Sequence, residues 1–145
     1  MKSVCLIGIG NTLRSDDGVG AVVCEYFQKN HPTELEVIIT HQLDITLVED
    51  IVPFKHVVFV DASSLNDDVV FKKLDLGTPT QSYSHHINAT FLSQLSRLLF
   101  TADTTFYICA IGINDLSFGE NLSSVAQLTA TKAISIIEDW LKTIN

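Results

Sequence analysis

The chain has 145 residues, 46% of them hydrophobic and 18% charged, with a formal net charge of −8. That size and apolar share fit one compact domain, residues 1–145, with enough core to fold without staples. The acidic balance argues against nucleic acid or anionic lipid as partner. No apolar run approaches the ~18 residues of a membrane span, and no small-residue cleavage site follows Met1-Lys2-Ser3, so no signal peptide is expected.

The run VCLIGI at 4–9 is continuously apolar, the pattern of a central parallel strand. It feeds a Gly8-Ile9-Gly10-Asn11 turn and then Asp16-Asp17-Gly18. Two carboxylates therefore arrive past the C-terminal edge of a buried strand, at the mouth of a helix, where open α/β sheets hold ligands. Adjacent acids there suit a hard or borderline cation, or acid–base work. Capping of the following helix is the plainer explanation, and both hold if Asp16 caps while Asp17 turns into the cleft. A dinucleotide fingerprint fails because Leu13 stands where its third glycine belongs, and a phosphate loop fails because no Gly-Lys-Ser/Thr follows.

Helical spacing of Val19, Val22, Val23, Tyr26 and Phe27 predicts a helix over 18–29, ended by His31-Pro32. Residues 35–40 form a second β-branched strand. Asp44 is placed to cap a short helix through Ile51, with Ile45, Leu47, Val48 and Ile51 as its apolar face and Pro53 closing it. A third buried strand, 56–61, again ends in an acid, Asp61. The link 63–68 is too short for a crossover helix, so the strand at 69–74 is expected to run antiparallel, at or near a sheet edge.

An amphipathic helix over 88–100 turns Phe91, Leu92, Leu95, Leu98 and Leu99 inward. A fifth strand follows at 105–111, and a long helix over 123–144 is capped by Ser123 or Ser124, with Trp140 and Leu141 packing on the body. This alternation implies an α/β fold, a single three-layer domain. Its twisted, mostly parallel sheet is expected to have about five strands, one of them antiparallel, with helices on both faces.

Cys5, Cys24 and Cys109 lie in apolar segments without CxxC spacing and read as buried thiols in a reducing, cytoplasmic compartment. Asp16-Asp17 and Asp61 should share a cleft, because parallel neighbours bring their C-terminal ends to one edge. Ser84-His85-His86-Ile87-Asn88 adds imidazoles in a turn before a helix. Two carboxylates and one imidazole make a mixed oxygen–nitrogen set that matches Zn²⁺, Ni²⁺ or Fe²⁺ with positions left open. His41 sits at the same edge and could line the cleft, though a surface or hydrogen-bonding role is the simpler reading; Glu120 could line it too, but helix N-terminal charge explains it at least as well. His31, at a helix C-terminus, is in a place that favours its cation. His56 should stand at the opposite edge, away from chemistry. No Gly-x-Ser-x-Gly elbow is present.

The segment Gly8-Ile9-Gly10-Asn11-Thr12-Leu13-Arg14-Ser15-Asp16-Asp17-Gly18-Val19-Gly20 resembles, nearly position for position, a signature of the hydrogenase maturation endopeptidases. Val57-Val58-Phe59-Val60-Asp61-Ala62 is similar to their second motif. His41-Gln42-Leu43 and Phe118-Gly119-Glu120-Asn121-Leu122-Ser123 are similar to secondary features of one branch. The resemblance runs along essentially the whole chain. It implies a twisted five-stranded sheet between helices, and removal of a short C-terminal peptide from the large-subunit precursor of a nickel–iron hydrogenase. The nickel belongs to the substrate, and no resident cofactor is implied. Carried over, the two metal-recognising carboxylates fall on Asp17 and Asp61. The histidine falls on His85, because the family has an apolar residue two positions after it and Ile87 supplies this; His86 is the alternative. Thr40-His41-Gln42-Leu43 stands where some branches have an Asp-Gly-Gly turn, and Ala89 where some have proline, which bears on which hydrogenase is processed. The rival expectations are a non-catalytic module that senses the metallated precursor and an unrelated nucleotide-binding α/β protein.

Overall fold

A computed structural model describes residues 2–77, 88–100 and 103–144. In chain order the elements are β1 (Val4–Ile9), a 3-10 turn (Ser15–Gly18), α1 (Val19–Asn30), β2 (Leu35–Thr40), α2 (Leu47–Ile51), β3 (His56–Ser63), β4 (Val69–Lys73), α3 (Ala89–Phe100), β5 (Thr105–Gly112) and α4 (Ser124–Ile144). They form one five-stranded sheet in the order β2-β1-β3-β5-β4. β1 pairs parallel with β2 and β3, and β3 pairs parallel with β5. β4 runs antiparallel to β5 at the sheet edge. That edge strand is short and carries Lys72 and Lys73, two features that discourage pairing with another sheet.

The continuous apolar runs predicted as central strands are buried on both faces. On one face Leu6, Val58 and Cys109 pack with Val23 and Phe27 of α1 and Ala130, Ala133 and Ile137 of α4. On the other, Ile7, Phe59 and Phe106 pack with Val48 and Ile51 of α2 and Leu92 of α3. Trp140 meets Tyr107 with ring centroids 4.9 Å apart and Phe71 at 5.5 Å, and Leu141 is buried, as expected for the end of α4. Cys5, Cys24 and Cys109 are buried and unbridged. Burial pushes the Cys5 and Cys109 thiols up to about 12, so they stay protonated and inert. No helix among the described residues is long and apolar enough to cross a membrane.

Three local expectations are corrected. α2 starts at Leu47 because Asp44 Oδ1 accepts from the Thr46 N–H at 2.8 Å in a turn of its own, which leaves Ile45 outside the inward face at 53% exposure. In α3, Leu98 and Leu99 are not inward but 64% and 61% exposed. Residues 97–100 are all exposed. One full turn covers every side of a helix, so the last turn of α3 overhangs the sheet rather than facing it. Third, Asp16 does not cap α1: the residue before that helix is Gly18, with no side-chain cap.

His31 follows the end of α1 and is held between two acids. Its Nδ1 lies 3.0 Å from Glu34 Oε1 and its Nε2 2.9 Å from Glu138 Oε2 on α4. Both contacts are hydrogen bonds only when both ring nitrogens carry protons. Burial opposes that cation, but the two carboxylates outweigh burial and raise the group above its usual 6.5. The stabilisation is therefore complete below about pH 6.5 and is lost as pH rises through the raised folded value. Thermal unfolding of the His31→Gln variant followed by circular dichroism should lack this alkaline decline. A wild-type protein whose stability rose relative to the variant over the same range would contradict the clamp.

Candidate active site

β1 is flanked by β2 on one side and β3 on the other, so the chain reverses its direction of travel across the sheet between them. Such switch points open a crevice beyond the C-terminal ends of the strands. Ile9 is in register with Asp61, and Gly10 N–H donates to Thr40 O at 3.1 Å as the strand leaves the sheet. Gly10 has φ +143°, and a Cβ there would lie 2.0 Å from the backbone oxygen of Asp17. Only glycine lets the turn fold back this closely. The Asn11 N–H then donates to Asp17 Oδ2 at 2.7 Å and fixes that carboxylate over the crevice.

Asp17 and Asp61 line the same cleft, of about 260 Å³, together with Gly10, His41, Gln42 and Asn88. The two acids predicted from strand ends are thus brought together. Burial pushes Asp61 up to about 6, the Asp17 carboxylate adds to the rise, and the Ala62 N–H opposes it. A carboxyl poised there exchanges its proton near neutral pH, as a general base or acid requires. A cation entering the cleft would relieve the repulsion between the pair.

His41 and Gln42 also reach the cleft, from the turn after β2. His41 is exposed and lines the cleft at the edge expected for it, because the β2–β1 adjacency puts the residue after Thr40 beside Gly10. Asn88 caps α3 by accepting from the Phe91 N–H at 2.8 Å and presents the start of that helix to the cleft. Glu120 is exposed and does not line it. His56 is at the other end of β3, against Tyr107 and Trp140. His85 and His86 lie outside the described residues. Among the described residues no group of three or more His, Cys, Asp or Glu is arranged to hold a metal ion.

Asp16 points the opposite way from its neighbour and is fully buried. Its Oδ1 accepts from Ser123 N–H at 2.7 Å, and its Oδ2 accepts from Ser123 Oγ at 2.7 Å, Asp115 N–H at 2.9 Å and Asn114 N–H at 3.1 Å. Burial alone would raise this carboxyl; the bonds from Ser123, Asn114 and Asp115 outweigh it and hold Asp16 below the usual range. Ser123 also accepts from the Ala126 N–H at 3.1 Å, so it is the cap of α4. The preceding residue, Ser15, has φ 48°, a left-handed conformation that costs a serine about 1 kcal/mol. Ser15 N–H to Gly119 O at 2.8 Å and Ser15 Oγ to Ser117 O at 2.7 Å hold it there.

The fold and the cleft define an α/β protein with paired carboxylates at the switch point of a mostly parallel sheet. No protein-family model matches the chain, and no curated protein matches it in sequence. Among solved structures it is similar to the hydrogenase maturating endopeptidase HybD of Escherichia coli, at 20% identity over 100% of this chain and 94% of that one, with a TM-score of 0.78. The [NiFe] hydrogenase maturation protease HycI of Thermococcus kodakarensis KOD1 is 24% identical over 97% of this chain and 93% of that one, with a TM-score of 0.72. HybD of Thermococcus kodakarensis is 20% identical over 97% and 99%, with a TM-score of 0.70. The chain has the fold of the hydrogenase maturation endopeptidases.

Proposed function

We propose that the protein is an endopeptidase that removes a C-terminal peptide from the nickel-loaded large-subunit precursor of a nickel–iron hydrogenase. The observation that carries the reading is the pairing of Asp17 with Asp61 in one cleft, within a fold shared with named maturation proteases. Asp17 and Asp61 contact the nickel that the substrate brings, and His85, or in its place His86, completes the set. Both histidines precede Asn88 closely in sequence, and Asn88 lines the cleft. The nickel is substrate cargo and acts as a template for the scissile bond.

Without a cation the two carboxylates repel each other and any precursor carboxylate, so cleavage waits for metal insertion. One of the two carboxylates serves as general base. The buried thiols leave no cysteine nucleophile among the described residues. A cytoplasmic place of action accords with three unbridged thiols.

The test is incubation of the pure protein with nickel-loaded and nickel-free precursor, followed by mass spectrometry. Peptide release is expected from the nickel-loaded precursor alone, and Asp17→Asn should reduce it by about 100-fold or more while leaving the far-ultraviolet spectrum unchanged. Tight binding of the loaded precursor without release would instead identify a sensing module. Release by Asp17→Asn at the wild-type rate would remove the carboxylate pair from the mechanism.

A further inference from the structure

The sequence carries two adjacent acids, and the proposed function uses one. We infer that Asp16 is a positioning residue: it locks the Ser15–Gly18 turn onto the 113–123 loop and so fixes where Asp17 stands in the cleft. The inference rests on the proposed role of Asp17.

The geometry behind it is one-sided. Every hydrogen bond described for the Asp16 carboxylate comes from the loop after β5 or from the cap of α4, some 98 to 107 residues away in sequence. The backbone of the turn is fastened to the same loop, by Asp16 N–H to Asp115 O at 2.9 Å, Ser15 N–H to Gly119 O at 2.8 Å and Gly119 N–H to Leu13 O at 2.8 Å. Asp17 follows Asp16 directly and faces the other way, toward Asn11 and Asp61. Within a 3-10 turn successive side chains are about a third of a revolution apart. Fixing the direction of Asp16 therefore fixes that of Asp17.

Asparagine at 16 preserves size but replaces one acceptor oxygen with an NH₂ donor, which would face the donors now bound there. The turn would then settle differently, and a displacement of about 1 Å at a reacting group is enough to cost about 100-fold in rate.

The experiment compares wild type, Asp16→Asn and Asp17→Asn, each as the full chain. The first readout is the amide resonance of Asn11, which donates to Asp17 Oδ2 at 2.7 Å and so reports the place of that carboxylate. In Asp16→Asn it should move upfield as the bond lengthens. The second readout is single-turnover cleavage of nickel-loaded precursor, at a temperature where circular dichroism shows the variant fully folded. The rate should fall about 10- to 100-fold with KM nearly unchanged. A residue that only stabilises the fold would leave both readouts at wild-type values in the folded fraction.

If Asp16→Asn does not fold, Ser123→Ala removes one donor and keeps the backbone ones, and should move both readouts less, in the same direction. An unmoved Asn11 resonance with wild-type cleavage, in whichever variant folds, overturns the inference. If wild type itself releases no peptide, the functional reading fails, and the Asn11 resonance still decides whether Asp16 positions Asp17.

Discussion

Asp61→Asn should lose peptide release and become more stable at neutral pH. A carboxyl pushed from 3.8 up to about 6 in the folded protein binds a proton that the unfolded chain has already released. Folding is therefore progressively penalised as pH rises from about 4 to about 6, and the penalty is complete above that. For a shift of this size in a largely buried group it amounts to about 3 kcal/mol. Asparagine fills the same space, still accepts from the Ala62 N–H and carries no charge to repel Asp17. Urea unfolding of the variant at about pH 7.5 should show that gain, and the difference should vanish at about pH 2.5, where the wild-type carboxyl is neutral in both states. An unchanged midpoint at about pH 7.5 would mean that the carboxyl is not strained by its surroundings. The gain in stability and the loss of activity would come from the same group, the usual sign of a residue kept for chemistry at the expense of the fold.

Gly10→Ala is expected to have the largest effect of any single methyl addition at the cleft. The new Cβ would meet the backbone oxygen of Asp17 at 2.0 Å and its carbonyl carbon at 3.1 Å, at a φ of +143° that alanine does not adopt. Neither neighbour is the end of a flexible side chain, so the turn itself must open. A cost of about 3 kcal/mol or more follows, with loss of the Asn11–Asp17 bond. Gly77 provides the comparison, because a Cβ there meets nothing of the described residues within 4 Å. Gly77→Ala should leave stability within about 0.5 kcal/mol of wild type. Equal melting temperatures for the two variants would show that the close approach at Gly10 is not what sets the turn.

Much of this architecture is legible in the amino-acid sequence. The strands at 4–9 and 35–40 have the ends their sequence implies, because short apolar or β-branched-rich runs between turn residues leave little choice of boundary. The antiparallel strand followed from a link too short for a helix, and the meeting of Asp17 with Asp61 followed from parallel topology alone. What escaped was long-range. Nothing local announces that Asp16 will be bound by Asn114, Asp115 and Ser123, so capping of the next helix was the natural expectation. Leu98 and Leu99 keep helical spacing with Leu92 and Leu95, but periodicity specifies a face, and only the length of the sheet beneath determines how far that face stays covered. His41 is placed at the right edge by its position after the second strand, but a single imidazole acquires meaning only from its neighbours across the sheet.

Trp140 is the single tryptophan of the chain and sits in the aromatic group with Tyr107, Phe71 and His56. His56 begins the strand that Asp61 nearly ends, and five steps along a strand span about 16 Å. Selective excitation of the indole will therefore track the detachment of α4 from the body and stay silent to events in the acid cleft. Fluorescence and peptide release then form two orthogonal channels, one for the integrity of the scaffold and one for its chemistry, without any introduced label.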